Sequence, residues 1–172
     1  MEAISRSVLD SPVTKGKHQV SLSAWAHLFT EMVRRLLSSS GDYESCQERL
    51  KAHGRHIGER MLEIVTFRDL GLSRQVERKD HLLVLTKTVW KSLFGKSPDQ
   101  VLANAEGFVV VEFEPMTNLF VSQKKDEASL NLFIFIGGII EAFFRDAGFP
   151  CTVVSGLNKD QKPCYFIKTE SL

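Results

Sequence analysis

The 172-residue chain has a pair of histidines, His53 and His56, whose spacing would allow them to bind one metal ion together. They stand three positions apart, so a helix would place both imidazoles on one face, where they could share a metal ion. A zinc site needs further ligands, and a third one is not evident in the sequence. We therefore interpret one histidine as packed and the other as solvated.

The tripeptide Gly95-Lys96-Ser97 has the ending of a phosphate-binding loop. That loop requires a glycine five residues before the glycine that precedes its lysine, and Trp90 stands there instead. The loop should also follow a strand, whereas this tripeptide follows a helical pattern. The sequence therefore predicts no nucleotide site here, and Gly95 is expected to cap a helix end.

Acidic pairs and cysteines do not indicate catalysis either. Glu59 and Glu63 lie one turn apart on a helix face that also carries arginines, which is typical of a solvated surface. Glu112 and Glu114 point the same way along a predicted strand and are expected to face solvent. Three cysteines lie far apart without a CxxC pair, so neither a disulfide framework nor a zinc site is indicated. We predict no catalytic residue, no cofactor and no metal.

Length and composition predict one compact domain. The chain is 43% hydrophobic, and 22 basic residues nearly balance 21 acidic ones, which gives no electrostatic footprint for nucleic acid or an anionic membrane. Residues 1–20 are polar and read as a flexible arm, and residues 21–172 as the folded domain. The longest apolar run, Leu130–Phe144, is short for a bilayer crossing and predicts a buried helix.

A pair of glycines, Gly54 and Gly58, lies one turn apart on the apolar side of the helix predicted over Leu50–Glu63. Each glycine costs roughly 1 kcal/mol relative to alanine inside a helix, so the pair indicates close packing against another backbone. That backbone could belong to the same domain or to a partner. The opposite face is too polar for a membrane-spanning helix; it carries Lys51, Arg55, Glu59, Arg60 and Glu63.

The first predicted helix begins at Ser21 and ends in Ser38–Gly41, and it carries a wide apolar stripe. A helix near the chain start can lie at the edge of a domain with part of its stripe uncovered. We therefore predict a dimer, homotypic when the chain is expressed alone. The predicted interface residues are Trp25, Phe29, Met32, Val33 and Leu36.

The remaining elements follow from period and turn signals. Asp42 is expected to cap a second helix that continues to about Phe67, a third helix ends at Gly95, and Ser129 is expected to cap a fourth that runs to Ala147. Two hairpins complete the pattern, the first pairing Phe108–Phe113 with Leu119–Ser122 and the second pairing Cys151–Ser155 with Cys164–Lys168. The order ααα-ββ-α-ββ predicts an α+β fold with an antiparallel sheet covered by helices.

Four segments in this order resemble one family. They are LKAHGRHIGERMLE at Leu50–Glu63, VWKSLFGKSPD at Val89–Asp99, VEFEPMTN at Val111–Asn118 and GGIIEAFFRDAGFP at Gly137–Pro150. Together they resemble the small-subunit family of the transport protein particle, TRAPP, and most closely the branch of its fifth subunit. The resemblance covers about Ser21 to Thr169.

This resemblance implies a fold in which helices pack on one face of a twisted, four-stranded antiparallel sheet. It also implies a scaffold subunit, without catalysis of its own, in a vesicle-tethering complex that activates a Rab-type GTPase between endoplasmic reticulum and Golgi. The implied partners are related small subunits, in a heterodimer, and the GTPase through the assembled complex. The implied location is the cytoplasm, with peripheral association with endoplasmic reticulum and cis-Golgi membranes.

One departure from the family concerns acylation. The family member that pairs with the fifth subunit carries an acylated cysteine in the link after its second helix. The corresponding link here, Arg68–Lys79, has no cysteine, and Arg74 stands at the closest aligned position. Acylation by that route is not expected.

An alternative function remains open at this point. The same fold resembles a family of prokaryotic ligand-sensing domains, and an aromatic core could hold a hydrophobic small molecule. The two alternatives are therefore a protein-interaction subunit and a small-molecule-binding module.

Overall fold

Local sequence signals determine where the helices of this protein begin and end. The structure is a computed structural model, and it describes residues 12–13, 20–69, 75–119, 121 and 130–169. Its helices are α1 Leu22–Ser40, α2 Tyr43–Arg68, α3 Arg78–Val84, α4 Trp90–Phe94 and α5 Ile134–Asp146, with a π-helical segment Leu85–Val89 joining α3 to α4. Its strands are β1 Gln100–Asn104, β2 Gly107–Val111, β3 Cys151–Leu157 and β4 Pro163–Thr169.

Capping residues define the first two helices as predicted. The Ser21 hydroxyl accepts the Ala24 backbone N–H at 3.2 Å, and Gly41 ends α1 with a left-handed φ of 75°. The next residue, Asp42, begins α2 because its carboxylate accepts the Ser45 N–H at 2.7 Å. Both predicted boundaries are confirmed, and so is the cap at Gly95, which has a φ of 74°.

The sheet is antiparallel throughout, in the order β1-β2-β4-β3. Alternate side chains of β2, β4 and β3, including Val110, Tyr165, Ile167 and Val153, are buried against the helices. The predicted α+β fold is therefore confirmed.

The first predicted hairpin is wrong in its pairing. Val111 is the last residue of β2, which pairs with β1 before it and with β4, whereas Leu119 lies in a turn and Ser122 lies outside the described residues. The Glu112 side chain, expected to face solvent, is fully buried. Sequence reasoning missed β1 because all five of its residues are exposed, so they carry no apolar alternation.

The helix α5 is the centre of the domain. It begins at Ile134, later than predicted, and its expected cap, Ser129, lies outside the described residues. Ten consecutive residues, Phe135–Phe144, are buried, so α5 contacts other elements on all sides. A helix that is apolar all round is expected in the interior of a domain.

Three glycines bring the backbones of α2 and α5 into contact. A Cβ atom at Gly54 would clash with the Phe135 carbonyl oxygen, and one at Gly58 would clash with the Ile139 carbonyl oxygen. The approach is reciprocal, since a Cβ atom at Gly138 of α5 would clash with the Lys51 carbonyl oxygen. Both α2 glycines are buried, so they face an element of the same domain and leave no surface there for a partner. We call this the α2–α5 contact.

A buried carboxylate lies beside the α2–α5 contact. Glu141 is 6% exposed, and its oxygens lie 2.7 Å from Lys51 Nζ and 2.9 Å from Arg55 Nη2. The same carboxylate accepts the Val153 backbone N–H at 3.1 Å, which attaches β3 to α5. Two residues assigned to a solvated face of α2, Lys51 and Arg55, therefore pair inside the protein.

Substitution of Gly58 tests the α2–α5 contact. Because the obstructing atoms belong to backbone, even Gly58→Ala should lower stability, and Gly58→Leu should cost more, about 1 to 3 kcal/mol from overpacking. The gain in helix propensity, about 1 kcal/mol, offsets part of the loss for alanine. Thermal or urea unfolding measures both variants. His53→Leu, on an exposed position of the same helix, is the control, and a Gly58→Leu variant as stable as the control would contradict the contact.

Acid titration tests the buried carboxylate. Burial raises the pKa of Glu141, but Lys51, the Val153 N–H and Arg55 together lower it below the ordinary 4.5. Its contribution to the free energy of unfolding is thus present above pH 4.5 and is lost as pH falls through the folded-state pKa. Glu141→Gln leaves the largely covered Lys51 without its carboxylate partner, while Arg55 keeps its ion pair with Glu48, so the substitution should cost up to about 3 kcal/mol near neutral pH.

The difference in the free energy of unfolding between wild type and Glu141→Gln should decrease steadily below pH 4.5, as measured by denaturant unfolding. Glu63→Gln is the matched control, because Glu63 pairs with Arg60 and both side chains are more than half exposed. A stability difference for Glu141→Gln that is unchanged in acid would contradict the assigned charge.

Candidate functional site

The apolar stripe predicted on α1 is partly buried and partly exposed in the structure. Phe29, Val33 and Leu36 are at most 6% exposed and belong to the domain core, which corrects the expectation that a partner covers them. Phe29 packs edge-on against Phe135 of α5 at 5.2 Å between ring centroids, and this contact is one reason for the burial.

The uncovered side of α1 lies beside that buried stripe. Trp25 and Met32 are half-buried, and between them Leu28 is 67% exposed. These residues are spaced three and four apart, so they share one side of the helix. We call Trp25, Leu28 and Met32 the α1 flank. Sequence reasoning missed Leu28, although its i, i+4 spacing to Met32 could have indicated it.

Charged side chains of the same helix lie beside the α1 flank. Glu31 accepts hydrogen bonds from Arg34 at 2.8 Å and from Arg35 at 2.9 Å, and these lower the pKa of its carboxyl to about 2. The Glu31 carboxylate therefore stays charged at neutral pH. An apolar centre with a charged border is the usual arrangement of a protein interface.

Aromatic rings fix α1 on the core. The Trp25 ring stacks on Phe29 at 5.5 Å, and both rings pack against Phe135, which also meets Gly54 at the α2–α5 contact. The position of α1, and hence the direction in which Leu28 points, depends on that contact.

A second exposed apolar surface crosses the sheet. Leu102 pairs with Val109, Val109 with Phe166, and Phe166 with Val154, so one side chain from each strand lies in a single row. The row is on the face opposite the helices, and Leu102 and Val154 are more than half exposed. We call these four residues the outer sheet row.

The sequence candidates for catalysis and metal binding are not assembled into a site. His53 and His56 are both exposed, so the expectation that one of them is packed is wrong. Gly95-Lys96-Ser97 follows the C-terminus of α4, where no helix dipole attracts phosphate. Within the described residues, no cluster of three His, Cys, Asp or Glu side chains could hold a metal ion.

Another histidine, His81, was not singled out in the sequence. It is 1% exposed, its Nε2 lies 2.9 Å from the Phe143 carbonyl oxygen, and its ring stacks on Phe143 at 4.4 Å. Burial lowers its pKa, opposed by the hydrogen bond to that carbonyl oxygen. These contacts hold α3 against α5, so we assign His81 a role in stabilising the fold.

An open cleft of about 360 Å³ lies where β2 and β3 end and β4 begins, near the start of α5. Its lining is mainly apolar and includes Phe113, Leu119, Phe133, Leu157 and Pro163. The cleft is on the surface, whereas Trp90, Tyr165 and Phe143 are among the large side chains that fill the core.

The cysteines are poorly placed for acylation. Cys46 is fully buried, and burial raises the pKa of its thiol, as it does for the partly buried Cys164. The thiols are not joined by a disulfide. Arg74, which stands at the acylated position of the family, lies outside the described residues.

Comparison with known proteins identifies related chains. The family model described as transport protein particle (TRAPP) component matches residues 25–169. The human trafficking protein particle complex subunit 5 is 35% identical over 156 residues, which is 89% of this chain and 83% of that protein. The Dictyostelium discoideum protein of the same name is 32% identical over 152 residues, covering 87% of this chain and 82% of that protein.

A solved structure has the same fold. Trafficking protein particle complex subunit 3 from Naegleria fowleri, covalently bound to palmitic acid, superposes with a TM-score of 0.74 over 87% of this chain and 95% of that chain. At 18% identity, this similarity shows the fold alone. No helix among the described residues is long and apolar enough to cross a membrane.

Thiol reactivity tests the burial of Cys46. Because only a solvated thiolate reacts readily, Cys46 should react with a neutral alkylating reagent at least about 100-fold more slowly in the native protein than in denaturant. Peptide mapping by mass spectrometry gives the rate at each cysteine. Cys151 and Cys164 serve as internal comparisons, and native labelling of Cys46 as fast as theirs would contradict the burial.

Proposed function

The chain belongs to the transport protein particle (TRAPP) component family, and from that premise we propose that it is a scaffold subunit of a TRAPP vesicle-tethering complex. Its relatives are named as complex subunits, and the comparison covers nearly the whole domain. The proposed role is in transport between endoplasmic reticulum and Golgi, where the assembled complex activates a Rab-type GTPase.

The observation that carries this proposal is the α1 flank. Leu28 is a large apolar side chain, 67% exposed, on a helix whose stripe of Phe29, Val33 and Leu36 is covered by the core. Exposed apolar residues inside a charged border favour association with another protein surface. The proposed occupant is a related small subunit, with a second copy of this chain taking its place when the chain is alone.

A scaffold in a row of subunits needs a second contact surface. The outer sheet row supplies an apolar strip on the face opposite the helices, away from the core that anchors α1. We assign it to contact with a neighbouring subunit. The proposed GTPase contact, made by several subunits together, requires no catalytic group from this chain. The proposed location is cytoplasmic, with peripheral membrane association through the complex.

Binding of a hydrophobic small molecule is the alternative. The open cleft beside Phe113 and Leu157 is the feature that favours it. Large side chains fill the core, so a ligand would have to bind at this surface. Native mass spectrometry of the purified chain would detect such a ligand, and its consistent presence would favour the alternative.

A charge in the α1 flank should weaken pairing. Leu28→Glu puts a carboxylate into an apolar contact, so the dissociation constant should rise at least about tenfold, equivalent to 1.4 kcal/mol, for a co-expressed related subunit or for the homodimer. Analytical ultracentrifugation measures the association. The melting temperature of the monomer should be unchanged, because Leu28 is exposed.

Leu83→Glu is the matched control, because Leu83 is 49% exposed on a different helix, α3. This variant should associate as the wild type does. Normal association of Leu28→Glu, or equal loss in both variants, would contradict the assignment of the α1 flank.

The isolated chain should not accelerate nucleotide release from a Rab-type GTPase. The reason is that the exchange surface is proposed to be shared among several subunits. Stopped-flow fluorescence with labelled nucleotide measures the rate, with the assembled complex as the positive control. Acceleration by this chain alone to the rate of the complex would overturn the scaffold proposal.

A further inference from the structure

The two edge strands of the sheet, β1 and β3, differ in what their outward backbone groups contact. On β3, the Val153 N–H donates to Glu141 Oε2 at 3.1 Å. The Ser155 carbonyl oxygen of the same strand accepts a hydrogen bond from Asn131 Nδ2 at 2.8 Å. Side chains of the same domain thus occupy this edge, and covering an edge is one means by which natural proteins prevent the addition of a strand.

The backbone of β2 determines which residues of β1 point outward. Glu112, directly after β2, donates its N–H to the Pro163 carbonyl oxygen at 3.1 Å, so the even-numbered residues of β2 bond to β4. Since successive residues of a strand bond to opposite sides, the odd-numbered residues bond to β1. Their partners there are Gln100, Leu102 and Asn104. The N–H and C=O groups of Val101 and Ala103 therefore point away from the sheet.

The β1 edge carries neither of the residue types that usually block an edge strand. The segment Gln100–Asn104 has no charged residue and no proline, and all five of its residues are exposed. Among the residues that the structure describes, none outside β2 bonds to the backbone of Val101 or Ala103. Their outward groups are open to another strand, because an extended chain matches such a row of donors and acceptors.

We propose that β1 pairs antiparallel with β1 of a second copy of this chain, about a two-fold axis at Leu102. The Leu102 residues of the two copies lie opposite each other as a non-hydrogen-bonded pair. Val101 of each copy lies opposite Ala103 of the other, and these residues exchange both of their backbone hydrogen bonds. The register therefore uses the outward groups of both copies.

The sequence of β1 is compatible with itself in this register, which favours a second copy over an unrelated segment. Gln100 lies opposite Asn104 of the other copy, so no charged side chain opposes another within the paired strands. Leu102 ends the outer sheet row at this edge, and the rows of the two copies become continuous across the axis. The helices of both copies lie on one face of the joined sheet, and they do not cover β1, because all of its residues are exposed.

This pairing is weak and is separate from the proposed pairing through the α1 flank. Five residues from each copy bury far less than the roughly 1,200 Å² of a stable interface, so the pairing is populated only at high protein concentration. It uses no residue of α1. In the wild type it joins two dimers that are themselves paired through α1.

Disulfide trapping tests the register. Opposite residues of a non-hydrogen-bonded pair have Cα atoms about 4.5 Å apart, which suits a disulfide, so Leu102→Cys should cross-link two copies under mild oxidation. Gln100→Cys is the matched control, because it is exposed on the same face of the same strand. Its two copies lie about four residues, or about 14 Å, apart along the paired strands.

The Leu102→Cys variant should cross-link at least about tenfold faster than Gln100→Cys, with peptide mapping to identify the joined thiols. Equal rates in the two variants would overturn the proposal. The same difference should persist when Leu28→Glu is added, so a failure of the α1 pairing leaves this outcome unchanged.

Charge substitution tests the contact without a covalent bond. In the Leu28→Glu background, sedimentation equilibrium at up to about 0.5 mM should show a monomer–dimer equilibrium. Adding Leu102→Lys places two lysines opposite each other, which should raise the dissociation constant at least about tenfold. Val154→Lys is the control, because Val154 is 53% exposed and Leu102 is 54% exposed, and Val154 lies on the covered β3 edge.

A chain that stays monomeric in the Leu28→Glu background would overturn the pairing through β1. Equal effects of Leu102→Lys and Val154→Lys would overturn it as well, because they would assign the association to the face of the sheet. A monomer whose β1 amides gain protection only when a related subunit binds would assign this edge to that subunit instead.

Discussion

The contact between the backbones of α2 and α5 determines where every other element can lie. At Gly54, Gly58 and Gly138, atoms of one helix occupy the space that a Cβ atom of the other would need. Helices this close exclude a layer of side chains between them, and each glycine lowers the helix propensity of its own segment. The charge of Glu141 then connects the pair to β3, so the sheet takes its position from the same two helices.

This contact also explains which part of α1 is free. Phe135 meets Gly54 on one side and receives the rings of Trp25 and Phe29 on another, so α1 is fixed over the start of α5. The stripe centred on Phe29 becomes core, and Leu28 remains exposed beside it. The proposed assembly through α1 needs this kind of division, because under that proposal the same helix stabilises the domain and binds a partner.

The sequence predicts best where one residue has one physical role. Ser21 and Asp42 begin helices because their side chains accept hydrogen bonds from backbone N–H groups. This local interaction can be predicted without knowledge of the tertiary structure. Partners that are distant in the sequence cannot be predicted from it in the same way. Lys51 has the appearance of a solvated helix residue, but Glu141, ninety positions later, makes it part of the interior. Glu112 has a strand pattern typical of solvent exposure, but it lies beside the start of β4 and beside Lys96 and is buried.

Amide hydrogen exchange of the chain alone and in complex with a related small subunit tests the central claim most directly, namely that the α2–α5 contact is an interior scaffold and the α1 flank is the partner surface. We expect the backbone amides of α2 and α5 to exchange slowest, and at the same rates in both states. The protection gained on binding should be greatest in Leu22–Ser40. Fast exchange in α5, or protection on binding that leaves α1 unchanged, would contradict it.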